Sequence, residues 1–259
     1  MLSPLFSSER QKRILEILER EGVVRNVELR ELLKVSAGTI RADLRELENQ
    51  GVLEIVHGGA VAKRSIEDRK LLIDERMVQN ADAKKRIGAR AAQFAESGQT
   101  LIVDSGTTTL EFINQLSLEL DYLQIVTHGL YIAVAAARHT NVELLMPGGV
   151  VRNSTLTLVG PQVLHFFDVI NAQYTFLATT GFSIESGITA ANLLEAEVKR
   201  KIVQRGRKVV LLADSSKHGK HQALTVVPMK EIDVLITDKQ FDDSAVKQFT
   251  AIGIEVIRV

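Results

Sequence analysis

The 259-residue sequence has no cysteine, no net charge and no long apolar segment. Without cysteine, disulfides, thiol catalysis and thiolate-bound metals are excluded. The longest apolar run, residues 130–137, is far too short to cross a bilayer. The first residues lack the charged and apolar regions of a signal peptide. We therefore expect a cytoplasmic protein that does not contact a membrane.

Lysines and arginines number 32, and aspartates and glutamates also number 32. This balance argues mildly against binding to nucleic acid, because such proteins often carry a basic excess. A nucleic-acid binder of this composition has to concentrate its positive charge locally. The apolar content of 45% is otherwise ordinary for a globular protein, and the length suits one small and one large domain.

The first 60 residues have the pattern of three amphipathic helices followed by a wing. Apolar residues recur at three- and four-residue spacing in residues 8–21, 26–33 and 36–50. Ser36 is a suitable N-cap for the third helix, and a short strand then runs into the turn His57-Gly58-Gly59. This order predicts a winged helix-turn-helix domain that binds double-stranded DNA. Without the wing, an ordinary three-helix bundle with a solvated basic face would explain the helices equally well.

The outer face of the third helix is the predicted DNA-reading surface. Its residues are small, hydroxyl-bearing or basic: Ser36, Ala37, Gly38, Thr39, Arg41, Ala42 and Arg45. Small residues let a helix approach base edges, and arginine supplies charge and guanine contacts. The free N–H groups at the helix start suit a phosphate. His57, beside two glycines, is expected to pack in the wing or touch a phosphate.

The rest of the chain alternates apolar strands with helices. Six apolar runs end in small or polar residues, at residues 101–106, 124–129, 143–149, 176–181, 209–217 and 234–238. This alternation predicts a parallel sheet covered by helices on both faces. We expect a DNA-binding domain over residues 1–62, a charged linker over residues 63–80 and an α/β effector domain over residues 81–259. Ligands of such sheets bind beyond the carboxyl ends of the strands.

The clearest ligand motif is the segment Asp104-Ser105-Gly106-Thr107-Thr108. A strand ends there, glycine permits a tight turn, and a helix starts with hydroxyls and unpaired N–H groups. That arrangement suits a phosphate monoester. The alternative is an ordinary helix start, since serine and threonine cap many helices.

Other candidates fall at the same predicted sheet edge. They are two adjacent glycines and four charged residues, namely Gly148, Gly149, Arg152, Glu195, Asp214 and Lys217. Each of them alone is typical of a turn or a surface salt bridge. Only their shared location at one sheet edge indicates a ligand site. His218 and His221 have a spacing that suits a metal, but they have no third ligand, and we expect solvated loop histidines. No metal and no cofactor are predicted.

Several of these features together resemble the DeoR family of bacterial transcriptional regulators. In the first domain the matching residues are Arg10, Ile14, Leu18, Ser36, residues 39–44 and residues 57–60. The family often has a basic residue where Ala42 stands, and basic wing residues where Glu54 and Ile55 stand. The resemblance continues through residues 104–108, 126–127, 148–149, 195–200, 214–217 and 236–238.

The resemblance implies a sensor domain with the fold of ribose-5-phosphate isomerase and coenzyme A transferases, which detects a phosphorylated sugar. It adds Thr127 and His128 to the effector-binding residues, and His128 stands where the family commonly has asparagine. Residues 101–112 and 143–149 look closest to regulators of N-acetylgalactosamine use.

The family further implies a repressor of a sugar-catabolism operon that is a dimer or tetramer and is released from its operator by the sugar phosphate. Two alternatives stay open. One is an activator with the same sites. The other is a sugar-phosphate isomerase-like enzyme, with Asp104 or Glu195 as the base and Lys217 holding charge.

Overall fold

The computed structural model describes residues 7–21, 23–56, 58–62 and 75–259. The chain divides into two compact units, Met1–Leu71 and Leu72–Val259. His57 and most of the expected linker lie outside the described residues.

The first unit is a winged helix-turn-helix, as predicted. Its elements are α1 (Ser7–Glu21), β1 (Val23–Arg25), α2 (Asn26–Leu33), α3 (Ala37–Asn49), β2 (Leu53–Val56) and β3 (Gly59–Ala62). Strand β3 lies between β1 and β2 and is antiparallel to both. The sheet therefore ties the wing hairpin to the segment that joins α1 and α2.

The apolar faces of the three helices form one core. Ile14 on α1, Leu29 on α2 and Ile40 on α3 are buried together with Leu53 of the wing. The side chain of Ser36 caps α3, because its Oγ accepts a hydrogen bond from the Thr39 N–H at 3.1 Å. Helical spacing thus buries one face of α3 and leaves its opposite face in solvent.

The second unit is an α/β domain. Its strands are β4 (Thr100–Val103), β5 (Leu123–Val126), β6 (Val142–Leu145), β7 (Val150–Arg152), β8 (Thr157–Val159), β9 (Ala172–Ala178), β10 (Gly181–Ser183), β11 (Gly187–Ala190), β12 (Gly206–Leu212), β13 (Leu224–Val227), β14 (Val234–Thr237) and β15 (Glu255–Arg258). Its helices are α4 (Ala81–Ala92), α5 (Thr107–Asn114), α6 (Leu130–Ala136), α7 (Pro161–Asp168), α8 (Leu193–Val203) and α9 (Asp243–Ala251).

Seven of these strands form one parallel sheet in the order β15-β14-β12-β9-β4-β5-β6. Neighbouring residues of one strand enter different hydrophobic cores: Leu177 of β9 packs into one cluster and Phe176 into the other. Both faces of the sheet are therefore covered, which confirms the predicted doubly covered parallel sheet.

Several smaller elements of this domain had no counterpart in the sequence prediction. Strands β7 and β8 form a separate antiparallel hairpin, and β10, β11 and β13 form a small three-stranded sheet. Strand β15 and helices α7 and α9 were also missed. Within the described part of the chain, no helix combines the length and the apolar character needed to span a membrane.

Candidate functional site

The outer face of α3 is open to solvent, and it carries the residues predicted to read DNA. Gly38, Arg41, Ala42 and Arg45 are exposed, as is the cap Ser36. The hydroxyls of Thr39 and Ser36 lie 2.9 Å apart. The Arg41 Nε donates to the Ala37 carbonyl at 3.2 Å, so its side chain folds back along its own helix.

Behind this face, a partly buried ion pair joins α1 to α3. The Asp43 carboxylate accepts hydrogen bonds from Arg10 Nε at 2.7 Å, from Arg10 Nη2 at 3.0 Å and from Ser7 Oγ at 3.0 Å. The pair raises the pKa of the Arg10 guanidinium. Asp43 stands inside the apolar stripe of α3, next to Leu44. An acid inside such a stripe was the signal that could have predicted this pair.

In the wing, the backbone of β3 at Gly59 lies very close to the backbone of β1. A Cβ on Gly59 would lie 1.9 Å from the Val24 carbonyl oxygen, and Gly58 has φ +85°, which favours glycine. Glu54 and Ile55 are exposed on β2, where the family often has basic residues. In the described strands of the wing there is no cation to contact phosphate.

In the α/β domain, a ring of connected residues surrounds the carboxyl ends of β4 and β5. We call it the polar ring. Its members are Asp104, Ser105, Gly129, Thr157, Thr155, Glu195 and Lys199. The following contacts connect each member to the next.

Asp104 is the buried anchor of the polar ring. Its Oδ2 accepts hydrogen bonds from the Ala178 N–H at 2.9 Å and from the Lys199 ammonium. Its Oδ1 is buried and has no hydrogen-bond partner among the described residues. A buried carboxylate needs such a cation, because an uncompensated charge in the interior is costly.

His128 lies beside this carboxylate, with its Nε2 3.6 Å from Asp104 Oδ1. Burial lowers the pKa of His128 to about 4, so the ring is neutral at neutral pH. Its Nδ1 is buried without a hydrogen-bond partner within the described ranges. Each of these two neighbouring side chains thus has one buried polar atom without a hydrogen-bond partner among the described residues.

Thr127 is fully buried and holds the loop in place. Its hydroxyl donates to the Val103 carbonyl at 2.7 Å and accepts from the Gly129 N–H at 3.1 Å. A Cβ on Gly129 would lie 2.8 Å from the Ser105 Cβ, so the loops after β4 and β5 touch. Thr127 therefore holds Gly129 of the polar ring in place by hydrogen bonds to main-chain groups.

The start of α5 presents main-chain donors, as the sequence predicted. Among the described residues, no side chain caps this helix at Gly106. A Cβ on Gly106 would lie 2.4 Å from the Ala178 Cβ, so this close approach requires glycine. Thr107 is half-buried and Thr108 is buried at the first turn. Unpaired N–H groups at such a terminus attract anions.

The β7–β8 hairpin completes the polar ring. Gly129 and Thr157 form an antiparallel bridge, and the hydroxyls of Thr157 and Thr155 lie 2.9 Å apart. The Thr155 hydroxyl donates to Glu195 Oε1 at 2.6 Å. Glu195 and Lys199 lie one turn apart on α8, which returns the path to Asp104.

Arg152, at the end of β7, also contacts Glu195, with its Nη1 3.1 Å from Oε1. Gly148 is exposed with open space around it, whereas Gly149 has φ +152° and would place a Cβ 2.9 Å from the side chain of Val163. Gly149 therefore sets the path into the hairpin.

A second polar group lies beyond the end of β12. Asp214 is buried, and its Oδ1 accepts from Asn80 Nδ2 at 2.9 Å and from the Ser216 N–H at 3.2 Å. Its Oδ2 has no hydrogen-bond partner in the described residues. Lys217 is half-buried in the short 3-10 turn that follows.

Lys84 on α4, which was not predicted as a site residue from the sequence, belongs to this second group. It is buried, and burial lowers the pKa of its ammonium despite the opposing effect of Asp214. The lysine stands on the same apolar helix face as Ile87 and Ala91, which was an available signal.

The interpretation of His218 as a solvated loop residue was wrong. Its ring packs against Phe182, Phe241 and Phe249, with centroids 5.6, 5.0 and 5.6 Å away. The phenylalanines come from distant segments, so the loop sequence alone did not reveal the contact. His221 is exposed. In the described ranges, no three acidic or histidine side chains gather as a metal site would require.

Two family models match the chain. The model of the DeoR C terminal sensor domain matches residues 79–239, and that of the DeoR-like helix-turn-helix domain matches residues 10–65. The chain belongs to the DeoR family. It is a DNA-binding transcriptional regulator rather than an enzyme.

Relatives across the full length carry regulator names. The HTH-type transcriptional regulator GolR from Listeria innocua is 33% identical over 97% of this chain and 98% of its own. A putative aga operon transcriptional repressor from Escherichia coli O157:H7 is 29% identical over 98% of this chain and 94% of its own. These names support the regulator over the isomerase alternative. Among solved structures, ribose 5-phosphate isomerase A from Methanocaldococcus jannaschii matches 54% of this chain and 55% of that chain at 14% identity, with a TM-score of 0.40.

Proposed function

We propose that this DeoR-family regulator represses a sugar-catabolism operon and leaves its operator when a phosphorylated sugar binds the α/β domain. The observation that carries the proposal is the polar ring. The ring holds a buried acid and a lysine, Arg152 contacts its Glu195, and the uncapped start of α5 follows its Asp104 and Ser105. The same chain has a helix predicted to read DNA. The proposed cell location is the cytoplasm, where operator DNA is available.

The DNA contacts we propose lie on the outer face of α3 and in the wing: Ser36, Ala37, Gly38, Thr39, Arg41, Ala42, Arg45 and His57. Arg41 and Arg45 supply the positive charge, because the described wing strands are not basic. A homodimer or tetramer suits this function, because two-fold symmetry matches a palindromic operator.

The effector contacts we propose are the residues predicted from the sequence: Asp104, Ser105, Gly106, Thr107, Thr108, Thr127, His128, Gly148, Gly149, Arg152, Glu195, Asp214 and Lys217. We place the phosphate at the polar ring, with its oxygens shared between the N–H groups and hydroxyls at the start of α5 and the donors of Arg152 and Thr155. The sugar hydroxyls are placed toward the buried acids. His128, standing for the family's asparagine, changes the donors offered to those hydroxyls.

Release from DNA requires that the effector bind the DNA-free state more tightly than the operator-bound state. By linkage, the same factor weakens operator binding when the effector is present. The test is a titration of the full-length protein into labelled DNA from upstream of its own gene, near physiological salt, with and without a panel of hexose and amino-sugar phosphates. Tight specific binding that one sugar phosphate reverses is expected. Equal affinity for random DNA, or release by no compound, contradicts the proposal.

The variant Gly106→Val connects this result to the polar ring. Its side chain collides with Ala178, so the response to sugar phosphate should be lost while operator affinity stays unchanged. Ala251→Val, which enlarges an exposed residue of the same domain, is the matched control and should respond normally. A preserved response in Gly106→Val removes the phosphate site from the start of α5.

A further inference from the structure

Arg152 and Glu195 were both expected to contact the effector, but in the structure they bind each other. One carboxylate oxygen of Glu195, Oε1, receives both Arg152 Nη1 at 3.1 Å and the Thr155 hydroxyl at 2.6 Å. Arg152 Nη1 also donates to Ser154 Oγ at 2.6 Å. The anion that holds these two donors therefore comes from the protein itself.

The pair is partly shielded from water, since the side chains of Arg152 and Glu195 are 29% and 16% exposed. A charge-assisted hydrogen bond in such a position is stronger than one on an open surface. Lys199 lies one turn further along α8 and is engaged by the buried Asp104. Lys199 of the polar ring and Arg152 beside it are thus each paired with an internal carboxylate.

The two strands of the hairpin are held differently. Strand β8 is buried, and its Leu158 N–H donates to the His128 carbonyl at 2.8 Å. Strand β7 is mostly exposed, and it starts after Gly149, which has φ +152°. The contact of Arg152 with Glu195 connects this outer strand to α8.

We propose that Glu195 is an internal competitor of the effector, because its carboxylate occupies the Arg152 and Thr155 donors that an anionic phosphate group takes on binding. This inference rests on the proposed function. It assigns Glu195 a role in selecting the effector, instead of a role as an acceptor for sugar hydroxyls.

Competition of this kind discriminates by charge. A phosphate monoester carries roughly −1.5 to −2 charges at pH 7 and offers three acceptor oxygens, so it can displace a carboxylate that carries one charge. A neutral sugar offers Arg152 no anion and leaves the pair intact. The regulator therefore responds to the phosphorylated sugar and ignores the free sugar.

The test compares the full-length wild type with Glu195→Gln, Glu195→Ala and Arg152→Gln. Calorimetric titration measures binding of inorganic phosphate, of the sugar phosphates in the panel and of the matching free sugars. Glu197→Gln is the control, because it removes the same charge from the same helix and Glu197 is not part of the polar ring. Melting temperatures without ligand show whether each variant is folded.

We expect both Glu195 variants to bind phosphate and the releasing sugar phosphate about tenfold more tightly than the wild type, since removing a like charge favours the anion. A correspondingly lower concentration of the sugar phosphate should also release the Glu195→Gln variant from the operator. Arg152→Gln should bind both ligands about tenfold more weakly, and Glu197→Gln should leave both affinities unchanged.

Unchanged or weaker binding by Glu195→Gln overturns the inference, and weaker binding would identify Glu195 as an acceptor for the effector. Tighter binding of inorganic phosphate alone would also overturn it, because the anion site would then be separate from the effector site. If the wild type is released by no sugar phosphate, the proposed function fails and this inference fails with it. If a sugar phosphate releases the wild type but Glu195→Gln does not bind it more tightly, the inference is wrong and the proposed function stands.

A further variant, Thr155→Val, keeps the proposal testable if both Glu195 variants prove unfolded. It leaves the Arg152–Glu195 pair in place and removes one donor from the anion site. Binding of inorganic phosphate and of the sugar phosphate should weaken several-fold. Unchanged affinity for both contradicts the proposal.

Discussion

The two units of this regulator present their candidate functional residues in opposite ways. On α3 the residues predicted to read DNA fall within ten positions of the sequence, and most of them are exposed. In the α/β domain the candidates span residues 104 to 217, and Asp104, Thr127, His128 and Asp214 are buried. One site is a surface of a single helix, whereas the other is assembled from many loops.

This difference follows from the sizes of the proposed ligands. A DNA duplex is larger than the domain that reads it, so the reading side chains have to project from a convex surface. A sugar phosphate is smaller than the domain, so its proposed site is built from converging loops. Charges that are buried between such loops lose water, and they compensate one another. Asp104 with Lys199, and Glu195 with Arg152, are such pairs.

The largest expected effect tests whether the outer face of α3 depends on the ion pair between Asp43 and Arg10. Asp43→Ala removes the carboxylate that Arg10 and Ser7 bind, and loss of such charge-assisted hydrogen bonds costs the first unit about 1.5–3 kcal/mol. Hydrogen exchange over residues 7–56 should accelerate, and operator binding should be lost. Glu31→Ala, at an exposed position of α2, is the control, and binding of sugar phosphate should persist in both variants. Normal operator affinity in Asp43→Ala would show that the pair does not support the reading face.

The next effect concerns His128 and the pH dependence of the stability of the α/β domain. The pKa of His128 is lowered by burial from 6.5 to about 4, so between these values the unfolded chain binds a proton that the folded chain does not. The free energy of unfolding of the α/β domain should therefore fall as the pH is lowered, by about 2 kcal/mol from pH 7.5 to pH 5. Urea denaturation at the two pH values measures it.

His128→Gln should remove that part of the pH dependence, because glutamine does not titrate. His221→Gln, at an exposed position of the same domain, should retain it. If His128→Gln and the wild type lose the same stability at pH 5, the acid sensitivity comes from other groups.

A smaller effect separates the two sites functionally. Arg41→Ala should weaken operator binding by about tenfold or more, because a lost arginine contact to DNA costs roughly 1–3 kcal/mol. Affinity for the sugar phosphate should not change. Arg207→Ala, which removes the same charge from an exposed position of the α/β domain, is the control for net charge. Equal operator affinity for Arg41→Ala and wild type would place the DNA contacts elsewhere.

The smallest effect concerns the start of the reading helix. Ser36→Ala removes the side chain that accepts the Thr39 N–H, and loss of such a cap costs about 1 kcal/mol. Ser36→Asp keeps an acceptor at the cap but adds a negative charge that DNA phosphate repels. The alanine variant should therefore lose stability, whereas the aspartate variant should lose operator affinity more than stability. Equal operator affinity in the two variants would show that no phosphate lies near the cap.

The parts of the fold that follow from local periodicity were predicted from the sequence. The three helices of the first unit, the strand of its wing and the strands after residue 100 that read as unbroken apolar runs are all present. Strand β15 and helix α9 were missed, and so were the hairpin strands β7 and β8. The hairpin strands have three residues each, which is too short for an alternation to stand out.

The pairing of charges was not predictable from the sequence. Asp43 was seen only as part of a motif, and Lys84 was not singled out. Glu195 was expected to bind a ligand, whereas it binds Arg152, which lies 43 positions earlier. Phe182, Phe241 and Phe249 surround His218 only because the chain folds back on itself.

The sequence by itself determined which helix presents small and basic residues to solvent, because helical spacing places every third or fourth residue on one face. It also determined that polar loops gather at one edge of a parallel sheet, because the carboxyl ends of parallel strands meet there. Only the tertiary structure decided which charges meet. Those contacts join residues far apart in the chain, and the cost of burying a charge without a partner selects the pairs.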